Sequence, residues 1–351
     1  MKRYKAVVLG AGARGRAHTL AFLKNADRFD LAAVCDLDTD RMKAMLAGIN
    51  VSLPIYASAD EMLAREKPDV FCFVTPPAIR LELVKLGVRH GVKVIAYEKP
   101  MATSLAEAKE ICDACDAAGI KHIVCHQHKY GGHWQAVKKI VESGRIGKVR
   151  SVHATSKGWF FHYITHLVDY AMWLIDYPKP QWVVGHMHGR GKVADNHPSP
   201  DYIMAQVGFA GEIRGFFECG TLAPSRGIPE HFWLDAGATV LGTHGYAEVI
   251  VGKGWRAMTA DKGYVEDYSV SFDESGNTAP YITDLGKWLD DPSQPHPCRG
   301  ELAYRGFEVS MAILASGLDP RTIVLPMDVS APILERMVAE LPEDNYQLET
   351  T

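Results

Sequence analysis

Ala6-Val7-Val8-Leu9-Gly10-Ala11-Gly12-Ala13-Arg14-Gly15 is the stretch on which the fold turns. Four apolar residues make a short strand, and three glycines in the pattern G-x-G-x-x-G follow it directly. The run from Arg16 to Asn25 then has helical character. Glycines so spaced permit a tight turn, close approach to a pyrophosphate, and close packing of helix on strand. The helix N-terminus adds backbone amides and the positive end of a dipole. The pattern alone is weak, and its context is what strengthens it. A second apolar strand, Leu31–Cys35, runs into Asp36, 21 residues beyond Gly15. A carboxylate there hydrogen-bonds the adenosine ribose diol and repels a 2′-phosphate, which favours NAD over NADP. Arg14 and Arg41 complicate that preference, since either can approach a phosphate. The competing readings are a glycine turn in a nucleotide-free sheet and an FAD site, the latter unsupported by the second half of the chain.

Outward from this stretch, strand and helix patterns alternate over the first 125 residues. Helical runs at Thr39–Ala47, Ile79–His90 and Leu105–Ala118 alternate with apolar runs at Val70–Val74, Val92–Ala96 and His122–Cys125. That alternation predicts an α/β domain, a doubly wound parallel sheet with helices on both faces. Near residue 126 the pattern changes. A helix at Trp134–Ser143 leads into a strand at Lys148–Ser156, and His162–Ile175 has helical periodicity. Strand-like runs follow at Trp182–His188, Tyr202–Phe209, Arg214–Cys219, Phe232–Leu241 and Ala247–Val251, with glycine-bearing turns between them. They predict a mostly antiparallel, open-faced sheet in an α+β domain. Helix returns at Tyr281–Leu289 and Glu301–Ser316. The expected domains are therefore 1–125, binding the nucleotide, and 126–351, binding substrate and forming oligomer contacts.

The 351 residues carry 38 basic and 42 acidic side chains, a formal net charge of −4, and no dense basic run. Nucleic acid is therefore not an expected partner. Apolar runs fall far short of the roughly 20 residues that cross a bilayer, so no membrane partner is expected either. The start of the chain reads as a first strand, not a signal peptide. Seven cysteines, an odd number, fit reduced thiols of a cytoplasmic protein. Cys112 and Cys115 form C-x-x-C, with Cys125, His126 and His128 beyond. Zinc is conceivable there, but positions i and i+3 of one helix face explain the pair more simply.

Tyr97-Glu98-Lys99-Pro100-Met101 follows the strand pattern Val92–Ala96. Together with the glycine fingerprint, Thr75-Pro76-Pro77, His166-Leu167-Val168-Asp169 and Gly144-Arg145-Ile146-Gly147, it makes the chain resemble the Gfo/Idh/MocA oxidoreductases over nearly its whole length. The resemblance implies a Rossmann domain, an open-faced mixed sheet, a nicotinamide cofactor, and a sugar, polyol or related substrate. Cofactor contacts are expected from Gly10, Gly12, Ala13, Arg14, Gly15, Asp36, Thr75, Pro76, Glu98 and Lys99. The family's lysine maps onto Lys99. Independently of the family, a lysine at the carboxyl end of a parallel strand faces the ligand crevice, where it can stabilise a developing alkoxide. Glu98 can orient the nicotinamide side or simply cap the loop.

The family histidine maps onto His166, a candidate general base because its intrinsic pKa suits proton transfer near neutrality. Relatives often carry aspartate four residues before it, where this chain has His162. On a regular helix 162, 166 and 169 share a face, so His162 is a candidate to tune His166, to bind a substrate oxygen, or to be a second acid/base. Packing in the core is the plain alternative, and no third ligand supports a metal. Arg80 and the His126–Tyr130 stretch also depart from the family pattern. Lys129, Trp159, Tyr281 and Arg226 are candidate substrate contacts, although Trp159 can equally pack the core and Arg226 can be an ordinary loop arginine.

The leading expectation is an NAD-dependent oxidoreductase acting on a sugar or polyol hydroxyl. The alternative is a redox glycosidase, in which transient oxidation, elimination, hydration and re-reduction leave NAD unchanged. A nicotinamide-binding sensor needs no proton-transfer pair, so Lys99 and His166 argue against it. A homodimer or homotetramer is expected, because an open antiparallel sheet needs covering.

Overall fold

The computed structural model describes residues 2–190, 199–228, 232–269, 273 and 276–342, with His162 described by its backbone alone. The chain forms two compact units, one made of 1–103, 107–130 and 273–304, the other of 104–106, 131–272 and 305–351.

The first unit contains the expected parallel sheet. Strands β1 (Tyr4–Leu9), β2 (Phe29–Cys35), β3 (Ile55–Tyr56), β4 (Val70–Phe73), β5 (Val94–Tyr97) and β6 (Lys121–Val124) lie in the order β3-β2-β1-β4-β5-β6. Every residue of β4 and β5 is buried. Sheets covered on both faces select continuous apolar strands of this kind. The chain starts at the centre and winds outward in both directions, so its topological switch point lies between β1 and β4. Helices α1 (Ala13–Lys24), α2 (Thr39–Ala47), α3 (Ala59–Glu66), α4 (Arg80–Arg89) and α5 (Leu105–Ala117) make the connections. Asp38 caps α2 by accepting from the Arg41 amide at 2.9 Å. Ser58 caps α3 by accepting from the Glu61 amide at 3.3 Å.

The second unit opens with α6 (Gly132–Glu142), β7 (Val149–Ser156) and α7 (Thr165–Leu174). Strands β8 (Pro180–His188), β9 (Tyr202–Phe209), β10 (Arg214–Gly220), β11 (Ala236–Gly242), β12 (Tyr246–Ile250), β13 (Gly254–Thr259), β14 (Gly263–Asp267) and β15 (Ile323–Val324) join β7 in a nine-stranded sheet of order β14-β13-β12-β11-β7-β10-β9-β8-β15. Among the described residues only β7 and β10 of this sheet pair in parallel. Val152, Ala154, Val240, Ala238, Ala247 and Val249 are buried along this sheet. Ser151, His153 and Thr155 alternate with them on β7 and are partly exposed, which is the two-residue period of a half-covered sheet.

Residues 273–304 return to the first unit and are not part of the second, as a single boundary near 125 would require. The core of the first unit includes Tyr281, Ile282 and Leu285 of α8 (Thr278–Asp290), together with Val8, Phe22 and Phe29. Asp290 accepts from Tyr4 Oη at 2.8 Å and pairs with Arg28 at 2.5 Å. Thr283 Oγ1 donates to Asn25 Oδ1 at 2.7 Å. Ile123 of β6 bridges to Arg299, and the Val124 amide donates to Cys298 O at 3.0 Å. The apolar stripe of α8 says that one face must be buried, but local periodicity cannot name the partner. The chain continues through α9 (Gly300–Leu318) and α10 (Ile333–Glu340).

If this return segment is part of the first core, Leu285→Ala removes a fully buried side chain from it. Stability should then fall by about 2–5 kcal/mol, the usual range for such a truncation. Urea unfolding measures it, and a loss near zero counts against the packing described.

Candidate functional site

The turn after β1 is closed by backbone contacts. Gly10 has φ +117°, and a Cβ there would stand 2.5 Å from Val74 O. A Cβ on Gly15 would stand 1.9 Å from Gly10 O, so α1 can sit this close to its strand only without a side chain at 15. Gly12 is the N-cap of α1, with no side-chain cap, which leaves the helix end to an outside acceptor. Asp36, at the end of β2, accepts from the Ala11 amide at 2.7 Å and from the Asp38 amide at 2.9 Å. It is thereby held at the lip of the turn. Leu37 beside it is 93% exposed and offers an apolar surface. Arg41 brings Nη2 to within 3.2 Å of where a Gly12 Cβ would stand. A glycine cradle, an uncapped helix end and a carboxylate beside an apolar surface fit an adenine dinucleotide.

A buried charge network lies at the carboxyl ends of β5 and β6. Glu98 is 5% exposed. Its Oε1 accepts from Arg14 Nε at 2.9 Å and lies 3.1 Å from His18 Nε2. Burial pushes the Glu98 carboxyl up, but Arg14, His18 and Lys99 outweigh this and hold it well below the ordinary carboxylate range. His18 is wholly buried, and desolvation lowers its pKa despite Glu98. Arg14 also lies 3.6 Å from Cys125 Sγ. Arg14, expected at the cofactor, thus directs its guanidinium to Glu98.

Partly exposed Lys99 follows Glu98, and the Lys99–Pro100 bond is cis. Burial brings the Lys99 ammonium down to about 8, opposed by Glu98 and assisted by Arg80 and Arg14. Arg80 is 2% exposed. It donates to Thr75 O from Nε at 3.2 Å and from Nη2 at 2.6 Å, and Nη1 donates to Pro100 O. Thr75 Oγ1 is buried with no hydrogen-bond partner among the described residues, whereas Pro76 is exposed.

His18, Glu98 and Cys125 are the one group of three potential metal ligands within mutual reach among the described residues. Arg14 already occupies Glu98, and burial pushes the Cys125 thiol well up, away from the thiolate a metal needs. The group therefore reads as an ion-pair network. Cys112 and Cys115 of α5 are free thiols, each pushed up to about 12 by burial.

Lys129 is 1% exposed and donates Nζ to Pro297 O at 2.9 Å. Tyr281 is fully buried, edge-on to His18 and His296, and its Oη has no hydrogen-bond partner among the described residues. Both lie within the core of the first unit. His18 was not among the expected site residues. Its signal was present, because it stands four residues after Arg14 on one face of α1.

In the second unit, Trp159 precedes a single π-helical turn, Phe160–Ile164, which runs into α7. The backbone of His162 lies in this turn, and its side chain is outside the described residues. The expectation that 162 shares a face with 166 and 169 therefore falls outside the described side chains. His166 is 4% exposed. Its Nδ1 shares a hydrogen bond of 2.8 Å with Tyr170 Oη, which fixes the ring. Asp169 is buried, and its Oδ1 accepts from Tyr177 Oη at 2.8 Å. The Trp159 and Phe232 rings pack at 5.1 Å. Arg226 pairs with Glu248 and donates from Nε to Thr155 Oγ1 at 2.9 Å. An anionic ligand would have to displace that carboxylate.

Residues 4–126 match the model of an oxidoreductase family with an NAD-binding Rossmann fold. That family is the Gfo/Idh/MocA oxidoreductases, which these residues match. NAD is the cofactor of this domain. The chain is 31% identical over 147 residues to D-apiose dehydrogenase of Paraburkholderia graminis, a match covering 42% of this chain and 38% of that protein. It is 26% identical over 151 residues to an inositol 2-dehydrogenase of Pseudomonas fluorescens, covering 43% of this chain and 45% of that protein. The matched part thus spans less than half the length of these curated relatives. Among solved structures, an oxidoreductase from Agrobacterium radiobacter in complex with NAD+, L-tartaric acid and magnesium has a TM-score of 0.79 at 17% identity, covering 92% of this chain and 98% of that one. The WlbA dehydrogenase of Bordetella pertussis, in complex with NADH and UDP-GlcNAcA, has a TM-score of 0.74 at 21% identity, covering 93% and 100%. At these identities the likeness concerns the fold. Among the described residues no helix is long and apolar enough to cross a membrane.

The geometry at Asp36 generates a cofactor test. Asp36→Ala removes the carboxylate that receives two amides at the turn. It should weaken NAD binding by about 10–100-fold, the worth of one or two hydrogen bonds to a charged group, and narrow the gap to NADP. Calorimetric titration of both nucleotides measures this, and unchanged NAD affinity overturns the assignment.

Proposed function

We propose that this chain is an NAD-dependent dehydrogenase that oxidises a hydroxyl of a sugar, polyol or sugar derivative. The observation that carries the reading is Lys99 at the carboxyl end of β5, with its ammonium brought down to about 8 mainly by burial. A lysine so adjusted can hold a hydroxyl oxygen and exchange a proton near neutral pH. NAD, when bound, supplies the hydride acceptor. Gly10, Gly12, Ala13, Arg14, Gly15, Asp36, Thr75 and Pro76 form its proposed cradle. Glu98, ion-paired with Arg14, fixes the backbone beside Lys99. Lys99 receives the reacting hydroxyl and stabilises its developing negative charge. His166 takes the proton directly or through the neutral Lys99 amine, which is then the ammonium that holds the alkoxide, and Tyr170 sets the His166 ring orientation. His162, Trp159, Lys129, Tyr281 and Arg226 are proposed to influence substrate choice, and buried Lys129 and Tyr281 would do so from within the core. The names D-apiose dehydrogenase and inositol 2-dehydrogenase among the relatives support the substrate class. The half-exposed sheet face supports a homodimer or homotetramer, since Val184 and Met204 are 41% and 51% exposed on it. The protein is proposed to act in the cytoplasm.

Lys99→Ala and His166→Ala should each lower kcat by at least about 100-fold while NAD affinity holds. A panel of free sugars, polyols and glycosides, read for both NADH and aglycone, gives the assay. Full turnover by both variants overturns the site assignment. Aglycone release that needs NAD but leaves no net NADH would assign the glycoside-cleaving reaction instead.

The pH dependence follows from Lys99. Below about 8 the ammonium predominates and cannot accept a proton, whereas above it the amine can. Alcohol oxidation should therefore rise with pH through about 8. A rate independent of pH across that range counts against proton acceptance at Lys99. Light scattering at micromolar concentration tests the oligomer, and a 38.7 kDa species alone refutes it.

A further inference from the structure

Arg80 is a costly buried charge beside the proposed catalytic lysine, and packing alone does not account for it. Its guanidinium is 2% exposed, yet no carboxylate lies within ion-pair distance of it among the described residues. It is also the first residue of α4, where the helix dipole already presents its positive end. Burying a charge without a counter-ion in such a place costs stability, and an apolar side chain of similar volume would avoid the cost.

What the arginine supplies is its planar fork. Nε and Nη2 both donate to Thr75 O, at 3.2 and 2.6 Å, and Nη1 donates to Pro100 O. Thr75 lies just beyond β4 and Pro100 just beyond β5, on adjacent strands. We propose that Arg80 is the positioning residue of the Lys99 site, tying the loops after β4 and β5 together and leaving Lys99 beside a cation that no carboxylate binds. This rests on the reading of Lys99 as the residue that receives the reacting hydroxyl.

The charged and titratable groups that bear on Lys99 include Glu98 on its own strand end, Arg80 from α4, Arg14 from α1, and the Cys125 thiol beyond β6. Arg14 is bound to Glu98, so the positive charge left over belongs to Arg80. That surplus disfavours the ammonium form of Lys99, in the same direction as burial.

The test reads Lys99 itself and needs no substrate. Trace acetylation of the whole protein with acetic anhydride, followed by mass spectrometry between about pH 6 and 10, gives the midpoint of Lys99 reactivity. Arg80→Gln keeps an amide donor for the carbonyls and removes the charge. Arg80→His, uncharged at alkaline pH, is the second such variant. Both should raise the midpoint by about one pH unit, the size expected for loss of one nearby charge. Arg80→Lys keeps the charge without the fork. Its midpoint should stay near that of the unaltered protein, while its kcat falls with little change in KM because the lysine is less well placed. An unchanged midpoint in whichever uncharged variant folds, judged by its melting temperature, overturns the proposal. An equal rise in Arg80→Lys also overturns it, since charge would then not be the cause. If the midpoints move as expected but the unaltered protein makes no NADH from the sugar panel, the dehydrogenase reading fails and the Arg80 assignment stands.

Discussion

The buried carboxylate of Glu98 is the interaction on which the first unit's carboxyl edge depends. One oxygen receives Arg14 from the glycine turn and stands 3.1 Å from His18 one helical turn along α1. The charge is tolerable at 5% exposure because Arg14 chiefly compensates it, with His18 and Lys99 adding to the effect. The ion pair therefore connects the nucleotide turn after β1 to the residue next to Lys99. A displacement of the turn would leave Glu98 without its counter-ion, so the two cannot drift apart cheaply. Arg80 makes a second connection in the same layer, between the loops beyond β4 and β5.

These contacts explain how one lysine acquires unusual chemistry without an unusual neighbour sequence. Burial disfavours its ammonium, Glu98 favours it, and two guanidinium groups disfavour it again. The balance falls near neutrality because the single carboxylate is shared with Arg14. In the second unit His166 is governed differently, by a hydrogen bond to Tyr170 and by stacking on its ring, 5.4 Å away.

Strand order follows from the placement of apolar runs, and the return of residues 273–304 follows from what those runs leave uncovered. The cluster that holds Val8, Phe22 and Phe29 also holds Tyr281, Ile282 and Leu285. Polar contacts at the rim, Tyr4 and Arg28 with Asp290 and Asn25 with Thr283, set its register. The fold of the nucleotide-binding unit thus depends on a segment remote in sequence.

The sequence by itself determined the parallel sheet, the glycine turn, the placement of Asp36, and Lys99 at a strand end, because each is a local pattern with a local physical cause. It also anticipated the change to antiparallel strands beyond residue 126, though it missed β13, β14 and β15 and began β11 too early, since short or glycine-bearing strands carry little periodicity. Only the tertiary structure decided where long side chains end. Arg14 goes to Glu98, Arg226 to Glu248, and Lys129 to Pro297 O. A flexible charged side chain finds its partner among groups brought together from distant positions, and spacing along the chain does not encode that choice. The π turn at Phe160–Ile164 belongs to the same class. The residues from 162 to 175 read as one helix, and the wider turn ahead of α7 is visible only in the folded backbone.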